Sequence, residues 1–154
     1  MTNKAHLTAI KRKKISAPCK YLKEQGLILG AVLDYGCGRG LDADLLGASK
    51  YDPYFFPEYT VLHGNHYDTI YSNFVLNVIP YKVLRDCVLS NIRCCLKEDG
   101  VAYITVRRDV KKLNGYTNKG TWQGLIELDL PVVYEKKNHF IIYKLTKNNK
   151  ISAI

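Results

Sequence analysis

The stretch Val32-Leu33-Asp34-Tyr35-Gly36-Cys37-Gly38-Arg39-Gly40 decides the fold expected for this chain. A short apolar run ends at an acid, and glycine then occupies every second position, which is typical of a buried parallel strand that turns sharply into a loop. Glycine allows the backbone of such a loop to approach a ligand without an intervening side chain. A dinucleotide-binding fingerprint needs Gly or Ala at position 41, where this chain has Leu41, so the stretch does not fit that fingerprint.

Strand and helix patterns alternate on both sides of this stretch. They predict strands over 31–33, 49–52, 67–72 and 101–106, helices over 3–25, 41–46 and 80–96, a long loop over 107–123, and a C-terminal antiparallel hairpin of the runs 125–134 and 139–145. The first helical region is expected to break near Ser16-Ala17-Pro18, and the last to begin at Pro80 and to be capped by Gly100. This order predicts an α/β fold with a Rossmann-like, doubly wound sheet.

Asp52 follows the second predicted strand, 18 residues after Asp34. A carboxylate at the end of that strand can accept hydrogen bonds from both hydroxyls of a ribose, as it does in other doubly wound folds. Pro53 and Tyr54 would then lie on the adenine side of such a ligand. The alternative is that an Asp before Pro is only a turn residue.

An acid followed by Gly-x-Gly-x-Gly resembles motif I of the class I S-adenosylmethionine-dependent methyltransferases. The resemblance implies that S-adenosylmethionine is the cofactor and that the acid at position 34 faces its ammonium group, directly or through water. The residues implied to bind the cofactor are Asp34, Tyr35, Gly36, Cys37, Gly38, Gly40, Asp52, Pro53, Asn73 and Phe74. Neither a catalytic residue nor a metal ligand is singled out.

A narrower resemblance comes from four segments taken together: Ser16-Ala17-Pro18, the stretch 34–40, Tyr51-Asp52-Pro53-Tyr54 and Val75-Leu76-Asn77-Val78-Ile79. Their order is similar to that in small methyltransferases found beside DNA phosphorothioation systems and in related phage and bacterial proteins. The similarity covers residues 14–108 in pieces. It does not identify the methyl acceptor, which could be a nucleic acid.

The chain departs from the full class I plan in two places. Only 15 residues, 53–67, separate Asp52 from Asp68, so the third strand of the plan is expected to be missing and the adenine contact is open, with Asn65 or Asn73 as candidates. The segment Ser72-Asn73-Phe74-Val75 lacks the two prolines that DNA amino-methyltransferases carry at this place. Amine methylation of bases by that particular mechanism is therefore not supported.

The net charge of +9 is concentrated at the two ends of the chain. Residues 1–23 hold seven Lys or Arg and residues 136–154 hold five, and neither segment contains an acid. Such ends favour an anionic partner such as nucleic acid, which Lys11, Arg12, Lys13 and Lys14 would contact through phosphates. A merely solubilising surface is the alternative.

Length and composition bound the organisation of the chain. At 154 residues, with 47% hydrophobic and 24% charged residues, the chain has the size and composition of one globular domain over 1–154. We expect a basic N-terminal helical segment over 1–30, a cofactor-binding core over 31–108, and a loop with the hairpin over 109–154.

Neither a membrane span nor secretion is expected. No stretch approaches about 18 consecutive apolar residues, and residues 1–14 are polar and unlike a signal peptide. The five cysteines form no CxxC pair, and the adjacent Cys94 and Cys95 are poor disulfide partners. A reducing, cytoplasmic location is expected.

Three further candidates have two readings each. His63 and His66 have a metal-like spacing, but they lack further ligands and are expected to be polar loop residues. Arg107 and Arg108 follow a strand and could hold a phosphate or the cofactor carboxylate, or could form a solvated pair. Trp122-Gln123 could contact substrate, although an isolated Trp is more often a packing anchor.

The resemblance leaves three functions open: a methyltransferase, a lyase or hydrolase that degrades the cofactor, and a non-catalytic module that binds cofactor or nucleic acid.

Overall fold

A computed structural model describes residues 4–110 and 114–151. Eight strands occur in this part: β1 (Val32–Tyr35), β2 (Ser49–Tyr51), β3 (Tyr67–Asn73), β4 (Leu96–Arg107), β5 (Asn114–Tyr116), β6 (Trp122–Gly124), β7 (Val132–Lys136) and β8 (Phe140–Leu145). The α-helices are α1 (Ala17–Glu24), α2 (Leu41–Leu46) and α3 (Lys82–Cys95), and 3-10 helices cover Ala5–Thr8, Tyr59–Leu62 and Leu76–Val78. No helix within these ranges is long and apolar enough to cross a membrane.

The central sheet has the order β2-β1-β3-β4-β8-β7. The first four strands run parallel, with Leu33 of β1 opposite both Ser49 of β2 and Ile70 of β3. Strand β8 runs antiparallel to both β4 and β7, so the last two strands form a hairpin at one edge. The predicted α/β sheet with a C-terminal antiparallel hairpin is therefore confirmed.

Strand β2 forms the other edge of this sheet. Between Tyr51 and Tyr67, all of which lies in the described part of the chain, there is a 3-10 helix and an isolated bridge between Asp52 and Phe56, but no further strand. The third strand of the full plan is thus missing, as the short spacing in the sequence predicted.

Helices cover both faces of the sheet, which makes the fold doubly wound. Helix α3 packs on one face through Leu89, Ile92 and Cys95, and α1 packs on the other through Cys19 and Leu22. Because successive side chains of a strand point to opposite faces, neighbouring residues divide between the two apolar clusters: Ile70 from Tyr71, Ala102 from Tyr103, and Ile141 from Ile142.

Both predicted ends of the long helix are wrong. Helix α3 begins at Lys82 rather than at Pro80, since the Arg85 guanidinium donates to the carbonyls of Ile79 and Pro80 at 2.7 and 3.0 Å and holds them outside the helix. Gly100 does not cap the helix, because the chain passes at Leu96 directly into β4. A Cβ at Gly100 would lie 2.8 Å from the carbonyl oxygen of Tyr67, so glycine is needed there for close strand approach.

The first helical region is interrupted before α1, near the predicted Ser16-Ala17-Pro18, and the hydroxyl of Ser16 accepts the N–H of Cys19 at 3.4 Å and caps α1. The predicted long loop differs from the structure. The predicted loop over 107–123 contains β5 and the start of β6, which pair as a separate two-stranded hairpin. This hairpin is anchored by Trp122, whose side chain is buried in the core, so Trp122 is a packing anchor.

Candidate functional site

The parallel strands end at one cleft of about 800 Å³, which is within the usual range for small-molecule sites. In open α/β sheets, ligands bind beyond the carboxyl ends of the strands. The lining comes from parts of the N-terminal segment (residues 5–12), the glycine loop (residues 36–40), residues 52–54, parts of residues 73–79, and Ala17, Pro18, Asp34, Leu41, Asp42, Arg107, Asp109, Gln123, His139 and Phe140. Residues 1–30, 31–108 and 109–154, the three predicted segments of the chain, thus all contribute side chains to the cleft.

The glycine loop leaves β1 with a backbone that only glycine adopts easily. Gly36, Gly38 and Gly40 have φ of 82°, 54° and 86°, in the region that costs other residues conformational energy. The N–H groups of Gly36 and Cys37 both donate to the carbonyl of Tyr51, at 2.7 and 2.9 Å, which fixes the loop against β2. A Cβ on Gly38 would approach Ala9 of the N-terminal segment at 3.3 Å. The loop therefore has a fixed conformation that presents backbone atoms to the cleft at its three glycines; we call it the cradle.

Asp52 lies at the end of β2 and holds the backbone on both sides of the cleft wall. Its Oδ2 accepts the N–H of Gly38 at 2.9 Å, and its Oδ1 accepts those of Tyr54 and Phe55 at 2.9 and 3.0 Å. Asp52 closes a turn, which is one of the two interpretations of the sequence, and it also lines the cleft beside Pro53, whereas its contact with a ribose stays a prediction. A carboxylate has about four acceptor positions, so one is left for a ligand.

Asp34 is a buried acid in the cleft wall, 4% exposed. Burial raises the pKa of Asp34 well above its usual value, the neighbouring Tyr71 hydroxyl opposes that shift, and the charges of Asp42 and Asp52 add to it. Three acids therefore line the cleft close enough to influence one another. A bound cation would relieve the cost of ionising Asp34.

Tyr35 is the one cofactor-binding prediction whose side chain lies elsewhere. It packs in the apolar cluster under α3, against Tyr51 with ring centroids 5.0 Å apart, and is absent from the cleft lining. The reason is strand geometry: Asp34 points toward the cleft side of the sheet, so the next residue must point to the opposite face. The other nine predicted residues all line the cleft.

The thiol of Cys37 is present in the cleft but is not a reactive group. Burial, followed by the charges of Asp34 and Asp52, raises the pKa of Cys37 to about 12. A thiol with that pKa stays protonated at neutral pH, and only the thiolate is a good nucleophile. Cys37 thus contributes shape to the glycine loop.

The N-terminal segment forms the roof of the cleft. His6 stacks on Tyr54 with ring centroids 4.1 Å apart and planes 11° from parallel. Just before this segment, the N–H of Lys4 donates to the carbonyl of Gly120 at 3.3 Å. Of the four basic residues 11–14, all exposed, only Arg12 lines the cleft. No sequence signal identified His6.

The end of β3 supplies the floor. Phe74 has φ of 61°, unusual for a non-glycine residue, and its N–H donates to the carbonyl of Thr105 at 2.9 Å. Asn73 donates to the sulfur of Cys19 at 3.1 Å, which ties the floor to α1. Strained residues of this kind concentrate at functional sites. Asn77 also lines the cleft; the sequence analysis quoted it within residues 75–79 but gave it no binding role.

The two arginines at the end of β4 have separate contacts. Arg107 lines the cleft and forms a bidentate pair with Asp109, at 2.7 and 2.9 Å, that raises the pKa of Arg107 and lowers that of Asp109. Arg108 instead donates to the carbonyl of Ile126 and to the hydroxyl of Tyr143, both at 2.8 Å. Arg108 thus links the segment after β6 to β8, and it is absent from the cleft lining.

His63 and His66 lie outside the cleft lining. Over residues 4–110 and 114–151, no group of three or more His, Cys, Asp or Glu side chains is placed to hold a metal ion.

No protein-family model matches the chain. No curated protein matches it in sequence either.

Solved structures do match its fold. The 1,6-didemethyltoxoflavin-N1-methyltransferase of Burkholderia thailandensis, solved with 1,6-didemethyltoxoflavin and S-adenosylhomocysteine bound, is 18% identical with a TM-score of 0.58, over 83% of this chain and 76% of that one. A TehB-like SAM-dependent methyltransferase from Corynebacterium glutamicum is 16% identical with a TM-score of 0.56, over 88% and 89%. The chain therefore has the Rossmann-like fold of these methyltransferases.

A third matching structure comes from work on the conversion of a disulfide bond into a thioacetal group during echinomycin biosynthesis. It is 20% identical with a TM-score of 0.49 over 59% of this chain, which spans only 48% of the length of that one.

Proposed function

We propose that this chain is an S-adenosylmethionine-dependent methyltransferase whose cofactor lies on the glycine loop. One observation carries the proposal: the cradle of Gly36, Gly38 and Gly40 is joined to Asp52 and stands beside the buried acid Asp34, at the carboxyl ends of a parallel sheet. The fold likeness to methyltransferases, one of them solved with S-adenosylhomocysteine, supports the same reading.

The cleft residues fit the parts of this cofactor. The remaining acceptor position of Asp52 would take a ribose hydroxyl, with Pro53 and Tyr54 beside the adenine. Asp34 would face the ammonium group, directly or through water, and the cation would favour its charged form. Glycine at positions 36 and 38 would let the ligand lie against the backbone. Asn73 and Phe74 would contact it from the floor.

When bound, S-adenosylmethionine supplies a methyl group that its sulfonium has already activated. The chain's own contribution is then to align an acceptor and to exclude water. The roof made by the N-terminal segment, held through the His6–Tyr54 stack, serves the second purpose. No general base is assigned.

Product analysis with methyl-labelled S-adenosylmethionine tests the reaction class. The label on an acceptor identifies a transferase and supports the proposal. Methylthioadenosine or adenosine as product would identify a lyase or hydrolase instead, and unchanged cofactor would identify a binding module. Wild-type protein and an Asp52→Ala variant should be compared, so that a contaminating activity is recognised by its insensitivity to the substitution.

Nucleic acid is one candidate for the methyl acceptor. The position of one basic residue favours it: Arg12 lines the cleft and is flanked by the exposed Lys11, Lys13 and Lys14. Phosphate contacts there would bring a polynucleotide to the cleft mouth. The narrower resemblance to methyltransferases beside DNA phosphorothioation systems, the single domain over 1–154 and the cytoplasmic location stay predictions from the sequence.

A further inference from the structure

The walls of the cleft differ in how firmly they are attached to the rest of the fold. Two N–H groups of the glycine loop donate to the carbonyl of Tyr51, and two N–H groups of the turn after β2 donate to Asp52. In the floor, the N–H of Phe74 donates to the carbonyl of Thr105. All five hydrogen bonds are between 2.7 and 3.0 Å long. These walls are therefore fixed to the central sheet.

The roof, residues 5–12, is attached more weakly. None of the residues in its 3-10 helix, Ala5–Thr8, is buried, and Leu7 and Ile10 are 56% and 66% exposed. In the part of the chain that the structure describes, the hydrogen bonds made by the roof are local and stay within residues 4–9. Segments with few buried contacts open at a lower free-energy cost than the core. The roof is therefore the wall that opens most easily.

The roof meets the fixed walls at His6 and at Ala9. The ring of His6 stacks on that of Tyr54, with centroids 4.1 Å apart and planes 11° from parallel. Tyr54 belongs to the fixed turn, because its N–H donates to Asp52. Ala9 lies over the glycine loop, where a Cβ on Gly38 would come within 3.3 Å of it. A methyl group offers little contact area, so the His6–Tyr54 stack is the larger of the two contacts.

The chain is anchored differently at the two ends of the roof. Past its carboxyl end, Ser16 is 1% exposed, its N–H donates to Oδ1 of Asp42 at 2.8 Å, and its hydroxyl caps α1. Before its amino end, the N–H of Lys4 donates to the carbonyl of Gly120 at 3.3 Å, slightly beyond the usual length. The chain is thus fixed from Ser16 onward, and the roof can swing about that residue once the stack parts.

We propose that residues 5–12 form a gate over the cleft, which is hinged at Ser16 and latched by the stack of His6 on Tyr54, and that the opening of this gate limits how fast the cofactor enters and leaves. That the ligand is the cofactor rests on the proposed function. A latch that closes equally well over the empty and the occupied cleft shifts no binding equilibrium. It slows entry and exit by the same factor, because either passage needs the open gate.

Removing the ring of His6 tests the latch through its effect on rates. In surface plasmon resonance with immobilised protein and S-adenosylhomocysteine, His6→Ala is expected to raise the association and dissociation rate constants together. The expected rise is about two- to tenfold, the factor that corresponds to one aromatic pair, and Kd stays within about twofold of the wild-type value.

Two further variants are the controls. His6→Phe keeps a ring that stacks on Tyr54 and should retain the wild-type rate constants. Leu7→Ala removes an exposed side chain of the same 3-10 helix that lies outside the cleft lining, and it should change neither rate constant. A rise of the dissociation rate constant alone in His6→Ala would show an ordinary contact with the ligand. That result, unchanged rate constants, or equal behaviour of His6→Phe and His6→Ala would overturn the proposal.

The latch is also measurable without any ligand. ¹⁵N relaxation of the unliganded protein gives the order parameters of residues 5–12, which are expected to fall to about 0.6 or below in His6→Ala and to stay near the wild-type values in the two controls. Unchanged order parameters in His6→Ala would overturn the latch.

The two measurements together separate this proposal from the proposed function. If the order parameters fall in His6→Ala but wild-type protein does not bind S-adenosylhomocysteine, the proposed function is contradicted and the latch stays in place. If wild-type protein binds S-adenosylhomocysteine and His6→Ala exchanges it at the wild-type rates, the gate alone is contradicted.

Discussion

The backbone N–H of Gly38 donates to Oδ2 of Asp52 at 2.9 Å, which ties the middle of the glycine loop to the end of β2. The two residues are 14 positions apart in the chain. Because Oδ1 of Asp52 also accepts two N–H groups of the following turn, one carboxylate sets the position of both walls of this part of the cleft.

Asp52→Asn is therefore expected to weaken the binding of S-adenosylhomocysteine by about 1–3 kcal/mol, the usual cost of leaving buried groups unpaired. The new amide NH₂ would face the N–H of Gly38 or those of Tyr54 and Phe55, and it would no longer accept from a ribose. Calorimetry measures the change. Glu24→Gln is the matched control, since Glu24 is an exposed partner of Lys20 on α1; if both variants bind equally well, Asp52 has no part in the site.

Gly38→Val is expected to abolish S-adenosylhomocysteine binding while leaving the protein folded. Valine at φ of 54° is strained by roughly 1–3 kcal/mol, and its side chain would crowd Ala9 across the cleft. Gly26→Val provides the control, because Gly26 has φ of 66° but open space around its Cβ position. Thermal unfolding should show similar losses for the two variants, and calorimetry should separate them. Normal ligand binding by the Gly38 variant would rule out the loop assignment.

Asp34→Asn is expected to stabilise the protein at neutral pH and to weaken cofactor binding. The pKa of Asp34 is raised in the folded state above the ordinary 3.8, so the folded protein holds a proton that the unfolded chain has lost. Stability then falls as pH rises from about that value toward the raised pKa. Asparagine removes this dependence. The variant should have a higher Tm than wild type at pH 7 and a smaller difference at pH 4; a lower Tm at pH 7 would show that the carboxylate is stabilised in the fold.

Replacing Lys11, Arg12, Lys13 and Lys14 by Ala tests nucleic acid as a partner. If these residues contact phosphates, log affinity falls with log salt by roughly 0.7–0.9 per contact, and the variant should flatten that slope for all sequences alike. Binding to single- and double-stranded DNA and to RNA is measured at two salt concentrations. Lys144, Lys147 and Lys150 changed together to Ala serve as the control, because none of them lines the cleft. Undetectable binding at low salt would refute this partner.

Local sequence patterns predicted most of the fold. The glycine loop, α2 and the C-terminal hairpin follow from short-range features: apolar runs, glycines and turn residues. The missing third strand followed from a count of residues. The helix ends predicted from Pro80 and Gly100 were wrong because tertiary contacts decide the structure there. Arg85 binds the carbonyl before Pro80, and Gly100 lies close to the carbonyl of Tyr67.

The site was predictable where the chain itself brings residues together. Asp34 and Asp52 end neighbouring strands, so their spacing indicated a common edge. Asn77 and Gln123 are 46 positions apart and meet only because β6 packs beside the 3-10 helix after β3. Strands as short as β5 and β6, at three residues each, depend on contacts such as those of Trp122 rather than on local propensity.

Calorimetric titration of the wild-type chain with S-adenosylhomocysteine, and separately with NAD, tests the central claim most directly. The account predicts saturable binding of S-adenosylhomocysteine at one site per chain and no binding of NAD, because the glycine loop stands beside the buried acid Asp34 and lacks the dinucleotide fingerprint. Absence of heat with S-adenosylhomocysteine, or tighter binding of NAD, would contradict it.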